Sequence, residues 1–163
     1  MNRNDTRSSS DYEFSDGVQA CKVVSHTLTD DGTFPNNHRF PLLVYQGALE
    51  LPEDDAAEII EALLETNRWG GTWRGGIDGS HHYHSNTHEA IAMYSGTATV
   101  QFGGEQGVVL SLSRGDVVII PPGVAHKRLD ASSDFRCIGA YPPQQKPDWK
   151  NGIPSERPQA DEN

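Results

Sequence analysis

From His81 to Ala140 the chain runs through seven short strand-forming stretches, separated by Gly, Pro, Asn or other polar residues, and this pattern excludes most folds. They are His81 to His84, Glu89 to Ser95, Thr97 to Phe102, Gly107 to Leu112, Val117 to Ile120, His126 to Leu129 and Phe135 to Ala140. Short strands at near-regular spacing indicate an all-β sandwich or barrel rather than alternating βα units. Gly103-Gly104-Glu105-Gln106-Gly107 reads as a hairpin turn, and no repeat of solenoid period is visible.

Ahead of this region, Val18 to Leu28 and Phe40 to Leu49 read as two further strands. Between Pro52 and Arg68 the period changes. Ala56, Ile59, Ile60, Leu63 and Leu64 recur at helical spacing behind the acidic residues Glu53, Asp54 and Asp55, which predicts one helix over about 53–68. Pro52 suits its start and Gly70-Gly71 its end. At 163 residues the chain is long enough for one core and short for two. The expected organisation is a loose polar tail at 1–17, a single domain at 18–142 and an irregular, Pro-rich tail at 143–163.

The formal charge of -10 and pI near 5.0 disfavour binding to a phosphate backbone or an anionic membrane surface, so nucleic acid and membrane partners are not expected. The longest apolar run, Val117-Val118-Ile119-Ile120, is far below a bilayer span. The first ten residues lack the apolar segment of a secretory signal, and a cytoplasmic protein is the simplest reading. Cys21 and Cys137 form no disulfide framework and lack zinc-ribbon spacing; both read as reduced thiols, Cys137 in the core.

The chemistry concentrates in the histidines. His82 and His84 are two apart, so on a strand both point to one face. Glu89 follows across the polar link Ser85-Asn86-Thr87-His88, which could return its carboxylate beside the imidazoles. His126 lies just beyond the tight Pro121-Pro122-Gly123 turn, which could aim it back into a barrel. Three imidazoles and one carboxylate suit iron(II), manganese, nickel, copper or zinc better than calcium or magnesium. His88 is an alternative ligand to Glu89 on the same link, and His81 should turn away from the pocket. If Glu89 points inward, Ile91 and Met93 share its face. Tyr83, Tyr94, Trp69 and Trp73 are candidates for a substrate mouth, and Arg74, Lys127 and Arg128 for receiving a carboxylate, although packing and solvated surface charge are their commoner roles.

At these residues the chain resembles the cupin superfamily. The first cupin motif, G-x(5)-H-x-H-x(4)-E-x(6)-G, is met by Gly76, His82, His84, Glu89 and Gly96. The second, G-x(5)-P-x-G-x(2)-H-x(3)-N, is met by Gly115, Pro121, Gly123 and His126, with Asp130 in place of the terminal Asn. The stretch HHYHSNTHE is also similar to small bacterial single-domain cupins of uncharacterised function. The resemblance implies a double-stranded β-helix, or jelly roll, with its motif core at 76–130, to which the helical spacing adds one helix on the N-terminal side. It implies that His82, His84, Glu89 and His126 hold one divalent transition metal, iron or manganese before nickel, copper or zinc.

Four protein ligands on a six-coordinate metal leave two positions for substrate, water or dioxygen. The leading expectation is therefore a metal-dependent enzyme on a small molecule, with oxygenase chemistry first. A non-redox isomerase or decarboxylase, or a non-catalytic ligand-binding or sensing domain, are the alternatives. The metal-free epimerase type of cupin has no use for an intact ligand set. Cupins often pair through strand edges, so a homodimer is among the expected assemblies.

Overall fold

The computed structural model describes residues 17–163, so the expected tail at 1–17 lies, apart from Gly17, outside the described residues. In chain order the elements are β1 (Lys22–Leu28), β2 (Asn37–Gln46), α1 (Ala56–Thr66), β3 (Gly70–Gly75), β4 (Glu89–Ser95) and β5 (Thr97–Phe102). β6 (Val108–Ser113), β7 (Val117–Ile120), β8 (His126–Ala131), β9 (Arg136–Tyr141), a 3₁₀ turn at Pro154–Glu156 and α2 (Arg157–Glu162) follow. The strands form a six-stranded sheet, β1-β2-β7-β4-β9-β3, and a three-stranded sheet, β6-β5-β8, with every pairing antiparallel. This is an all-β double-stranded β-helix.

The alternation of β4 explains how the layers assemble. Ile91 and Met93 point between the sheets, where Leu42, Val44, Val100, Phe102, Leu112, Val118 and Cys137 join them in the main core. Ala90 and Ala92 point outward and, with Ala140 and Ile138 of β9, form an apolar floor on which Ala57, Ile60 and Leu64 of α1 rest. Burying a residue such as Ile60, 1 % exposed, stabilises the packing by roughly 1.5–3 kcal/mol. One face of β4 therefore holds the helix while the other faces the barrel interior, and Glu89 belongs to the interior face.

Several boundaries differ from expectation. α1 starts at Ala56 rather than 53, because Asp55 adopts a left-handed conformation (φ 60°) that no helix continues through. It ends at Thr66, and Arg68 (φ 63°) takes the left-handed position expected near Gly70-Gly71. Those glycines instead open β3, which pairs with β9 and has no apolar alternation to announce it. The 143–163 segment, expected to be irregular, carries the 3₁₀ turn and α2. Ala160 of α2 is buried with Phe34, Tyr83 and Ala125 in a third, smaller cluster.

Candidate metal centre

His81 to His84 does not form the expected strand. It is an extended segment with two isolated bridges. His82 exchanges backbone hydrogen bonds with His126 (N–H to O, 3.2 and 2.9 Å), and Tyr83 does the same with Lys150 (3.0 Å each way). The consequence predicted from the spacing still holds. Tyr83 turns outward beneath α2, and His82 and His84, on either side of it, turn inward. His126 opens β8 directly after the Pro121-Pro122-Gly123 turn. Gly123 has φ +85°, and a Cβ there would sit 2.5 Å from the Asn36 carbonyl oxygen, so the turn requires glycine. Its N–H donates to the His84 carbonyl at 2.8 Å, tying the two motifs together beside the ring-bearing residues.

His82, His84 and His126 bring ligand atoms within 4.8 Å of one another and could hold a metal ion; they are 5 %, 5 % and 1 % exposed. Their outer nitrogens are all fixed. His82 Nδ1 lies 3.1 Å from the Ser80 carbonyl, His126 Nδ1 3.2 Å from the Val124 carbonyl, and His84 Nδ1 meets the Asp148 carbonyl. A carbonyl can only accept, so each Nδ1 carries a proton, and in the neutral ring each Nε2 is left to present a lone pair. Glu89, 2 % exposed, sets Oε2 3.4 Å from His84 Nε2 and 3.3 Å from His126 Nε2. A charge-assisted hydrogen bond is about 2.7–2.9 Å, and Oε2 is a buried oxygen with no hydrogen-bond donor. The three clustered imidazoles, with an orphaned carboxylate oxygen facing two of them, make a donor set that fits a divalent transition metal.

The electrostatics agree. Burial, then the neighbouring His126, pushes His82 down to about 4, so it is neutral at pH 7. Burial also pulls His84 down, but Glu89 beside it outweighs this and raises it. Burial alone would raise Glu89, yet the His126 and His84 imidazoles hold its carboxyl far below the usual carboxylate range. The site is built around a carboxylate that stays charged in the interior.

The remaining candidates separate cleanly. His88 packs edge-on against Phe40, with ring centroids 5.6 Å apart, and is not one of the clustered imidazoles. His81 turns to Phe34 and Glu105. Ile91 lines the cavity above the imidazoles, while Met93 is core. Of the four aromatic candidates only Trp73 reaches the cavity; Trp69 and Tyr94 pack near α1, and Tyr83 lies under α2. Arg74 is engaged by Glu58 and Glu61, and Lys127 by Glu105. Asp130, the departure from the second motif, is exposed in β8 opposite Thr99 and takes no part.

Three residues escaped the sequence reading: Tyr141, Asp148 and Trp149. Tyr141 donates to Glu89 Oε1, and the Trp149 indole stacks on His82 at 4.0 Å with 4° between the planes. Only Tyr141 left a usable signal. Extending β9 by one residue beyond Ala140 puts Tyr141 on the same face as Cys137 and Gly139.

Comparison with known proteins adds the following. The family model described as "Cupin domain" matches residues 72–137. The "Uncharacterized protein YjlB" of Bacillus subtilis (strain 168) is 44 % identical over 139 residues, 85 % of this chain and 81 % of that one. Among solved structures, an uncharacterized conserved protein with a double-stranded β-helix domain from Klebsiella pneumoniae superposes with a TM-score of 0.39 at 13 % identity, covering 91 % of this chain and 98 % of that one. Acireductone dioxygenase from Bacillus anthracis, with a cadmium ion in its active centre, gives 0.41 at 17 % identity, covering 60 % and 70 %.

Proposed function

Because the chain belongs to the cupin family, we propose that it is a metal-dependent enzyme acting on a small molecule, with His82, His84, Glu89 and His126 holding one divalent transition metal. The observation that carries this is Glu89 Oε2: a buried, charged oxygen with no donor, facing two Nε2 atoms whose tautomers are fixed from behind. Such a group is costly to bury unless something positive completes it. The site opens into a cavity of about 350 Å³, so the centre is accessible to a ligand rather than sealed as a structural site would be.

A bound iron or manganese supplies Lewis acidity and a redox couple, and oxygenase chemistry is the first reaction class in this reading. The chain's own residues do the rest. The three backbone carbonyls orient the imidazoles, Tyr141 fixes the carboxylate, and Ile77 and Ile91 give the cavity apolar walls that limit water. Cys21 and Cys137 are free thiols, in keeping with a cytoplasmic setting. A non-redox isomerase or decarboxylase would use the same four ligands.

The test is elemental analysis of protein expressed without added metal, followed by oxygen-uptake screening of small acids, diols and thiols. Close to one equivalent of transition metal is expected. Glu89→Gln, which removes one negative charge from the site, should lower metal affinity by more than the roughly 10–100-fold typical of losing a partner that orients a ligand, while His88→Gln leaves it unchanged. Protein that is metal-free and cannot be reloaded, or the reverse behaviour of those two variants, overturns the ligand assignment. Metal-loaded protein that consumes no oxygen with any substrate class moves the reading to the non-redox reactions.

A further inference from the structure

The walls of the cavity say what kind of molecule it takes. Its deep end is formed by the buried imidazoles and Glu89. Its outer part is aromatic, with Trp73 and the half-exposed Trp149 (54 %), and the buried Tyr141 joins Trp73 to Glu89. At about 350 Å³ it is at the small end of ligand cavities, which run from roughly 300 to 1,000 Å³.

Both indoles are held in place before any ligand arrives. Trp73 donates its Nε1–H to the Tyr141 hydroxyl at 3.1 Å and lies across Gly139, where even a Cβ would come within 2.1 Å of the ring. Trp149 rests one face on His82 and donates Nε1–H to Asn151 Oδ1 at 3.0 Å. Preset aromatic walls favour flat ligands, because little side-chain freedom is lost on binding.

The charge pattern is equally one-sided. Among the described residues that line this cavity there is no Lys or Arg, and the acids are Glu89 and Asp78. Asp78 is exposed at the rim, its Oδ1 accepting the Ser80 N–H at 2.7 Å. The expected carboxylate receivers are elsewhere: Arg74 and Lys127 are ion-paired, and Arg128 lines an adjoining cleft together with Arg136. Within this lining an anionic tail would meet Asp78 and no Lys or Arg, although Arg128, whose backbone N–H donates to the Asp78 carbonyl at 2.8 Å, stands in the adjoining cleft; a cationic tail would meet two indoles and a carboxylate.

Resting on the metal reading above, we propose that the ligand joins a polar, metal-binding head to a flat tail that is uncharged or cationic. Trp73 and Trp149 read the flatness and Asp78 reads the charge.

The probes are hydroxamates, which share one metal-binding head and differ in the tail. Zinc-loaded full-length protein is titrated calorimetrically with acetohydroxamate, benzohydroxamate and benzohydroxamates bearing a 4-aminomethyl or a 4-carboxylate group. Benzohydroxamate should bind about tenfold tighter than acetohydroxamate, and the aminomethyl compound tighter than the carboxylate. Trp149→Ala should collapse the benzo-to-aceto ratio and Trp149→Phe retain part of it; the ratio is independent of any change in metal content. Asp78→Asn should narrow the gap between the two charged tails. Equal binding of acetohydroxamate and benzohydroxamate overturns the proposal. So does tightest binding of the carboxylate with loss in Arg128→Gln, because the tail then lies in the adjoining cleft. If zinc is not retained and no hydroxamate binds, the metal reading fails and this inference falls with it; retained zinc with tail-blind binding sinks this inference alone.

Discussion

Tyr141 donates its hydroxyl proton to Glu89 Oε1 at 2.9 Å, which leaves Oε2 as the oxygen facing the histidines. The tyrosine oxygen in turn accepts the Trp73 indole N–H. The relay fixes which carboxylate oxygen is available and in which direction it points, and the proposed centre can then use Glu89 through one oxygen only.

Tyr141→Phe removes that donor and, with it, the acceptor of the Trp73 indole N–H. A buried carboxylate that loses a hydrogen bond costs about 1–3 kcal/mol of stability, readable by urea denaturation of chelator-treated protein. Metal affinity should fall by about 10–100-fold, as for other partners that orient a ligand. Unchanged affinity together with unchanged stability would show that the relay does not constrain Glu89.

The metal-free protein should be most stable near pH 6.5. An unfolded histidine titrates at about 6.5, whereas folded His82 is pushed down to about 4, so between these values the unfolded chain takes up a proton that the folded one refuses. Stability therefore falls as pH drops across that window, and Glu89, whose folded pKa is depressed, adds a further loss below about 4.3. His84 works in the opposite sense. Its raised pKa gives stability that is full below about 6.5 and lost as pH rises through the folded value. Metal must displace the His84 proton, so binding near pH 6.5 should release about one proton, and affinity should weaken at lower pH. Calorimetry in two buffers of different ionisation enthalpy counts the proton; a count of zero would show that His84 is already neutral in the metal-free protein.

Gly139→Ala tests the aromatic wall from behind. The new Cβ would lie 2.1–2.3 Å from the Trp73 indole, so the ring must leave its place and with it the bond to Tyr141. Overpacking of this kind costs about 1–3 kcal/mol. Trp73 fluorescence should shift, and metal affinity should fall by less than in Tyr141→Phe, because Tyr141 keeps its own bond to Glu89. A spectrum and stability matching the parent would mean that Trp73 is mobile rather than wedged.

The parts of this molecule that could be read in advance are those in which side-chain pattern and backbone role coincide. β4, β5 and β7 have the boundaries expected from short strand-forming runs closed by turn residues, and Gly96, between β4 and β5, has φ +66° and contacts too close for any Cβ. His82 and His84 faced one way because their spacing is two, even though the segment is not a ladder strand. β3 was hidden because its glycines carry no alternation and its pairing is imposed by β9. Asp148 was hidden for a deeper reason: its carbonyl holds His84, and a backbone carbonyl has no signature in the residue type that bears it.

That carbonyl belongs to a strap, Lys146 to Lys150, which lies along the histidine segment. Asn86 Nδ2 donates to the Lys146 carbonyl at 2.9 Å, and the Asp148 N–H donates to Asn86 Oδ1 at 3.1 Å. The Asp148 carboxylate accepts the Ser85 N–H at 2.6 Å and the Ser85 hydroxyl, while Tyr83 and Lys150 exchange backbone bonds. Two variants separate the strap's side-chain role from its backbone role. Asp148→Ala keeps the carbonyl that orients His84 but strands the amide of Ser85, itself 2 % exposed, and should cost about 1–3 kcal/mol of stability with little loss of metal affinity. Removing 148–163 also takes away the carbonyl, the Trp149 stack and the cover over Tyr83, which is 0 % exposed. With Nδ1 of His84 released, its tautomer is no longer fixed, and metal affinity should drop by about 10–100-fold. Metal titration of both proteins, with circular dichroism to confirm that the barrel remains folded, reads the difference. If the shortened chain is folded and binds metal as tightly as the parent, the strap is a cover alone, and the orientation of His84 comes entirely from its bridge-flanked backbone.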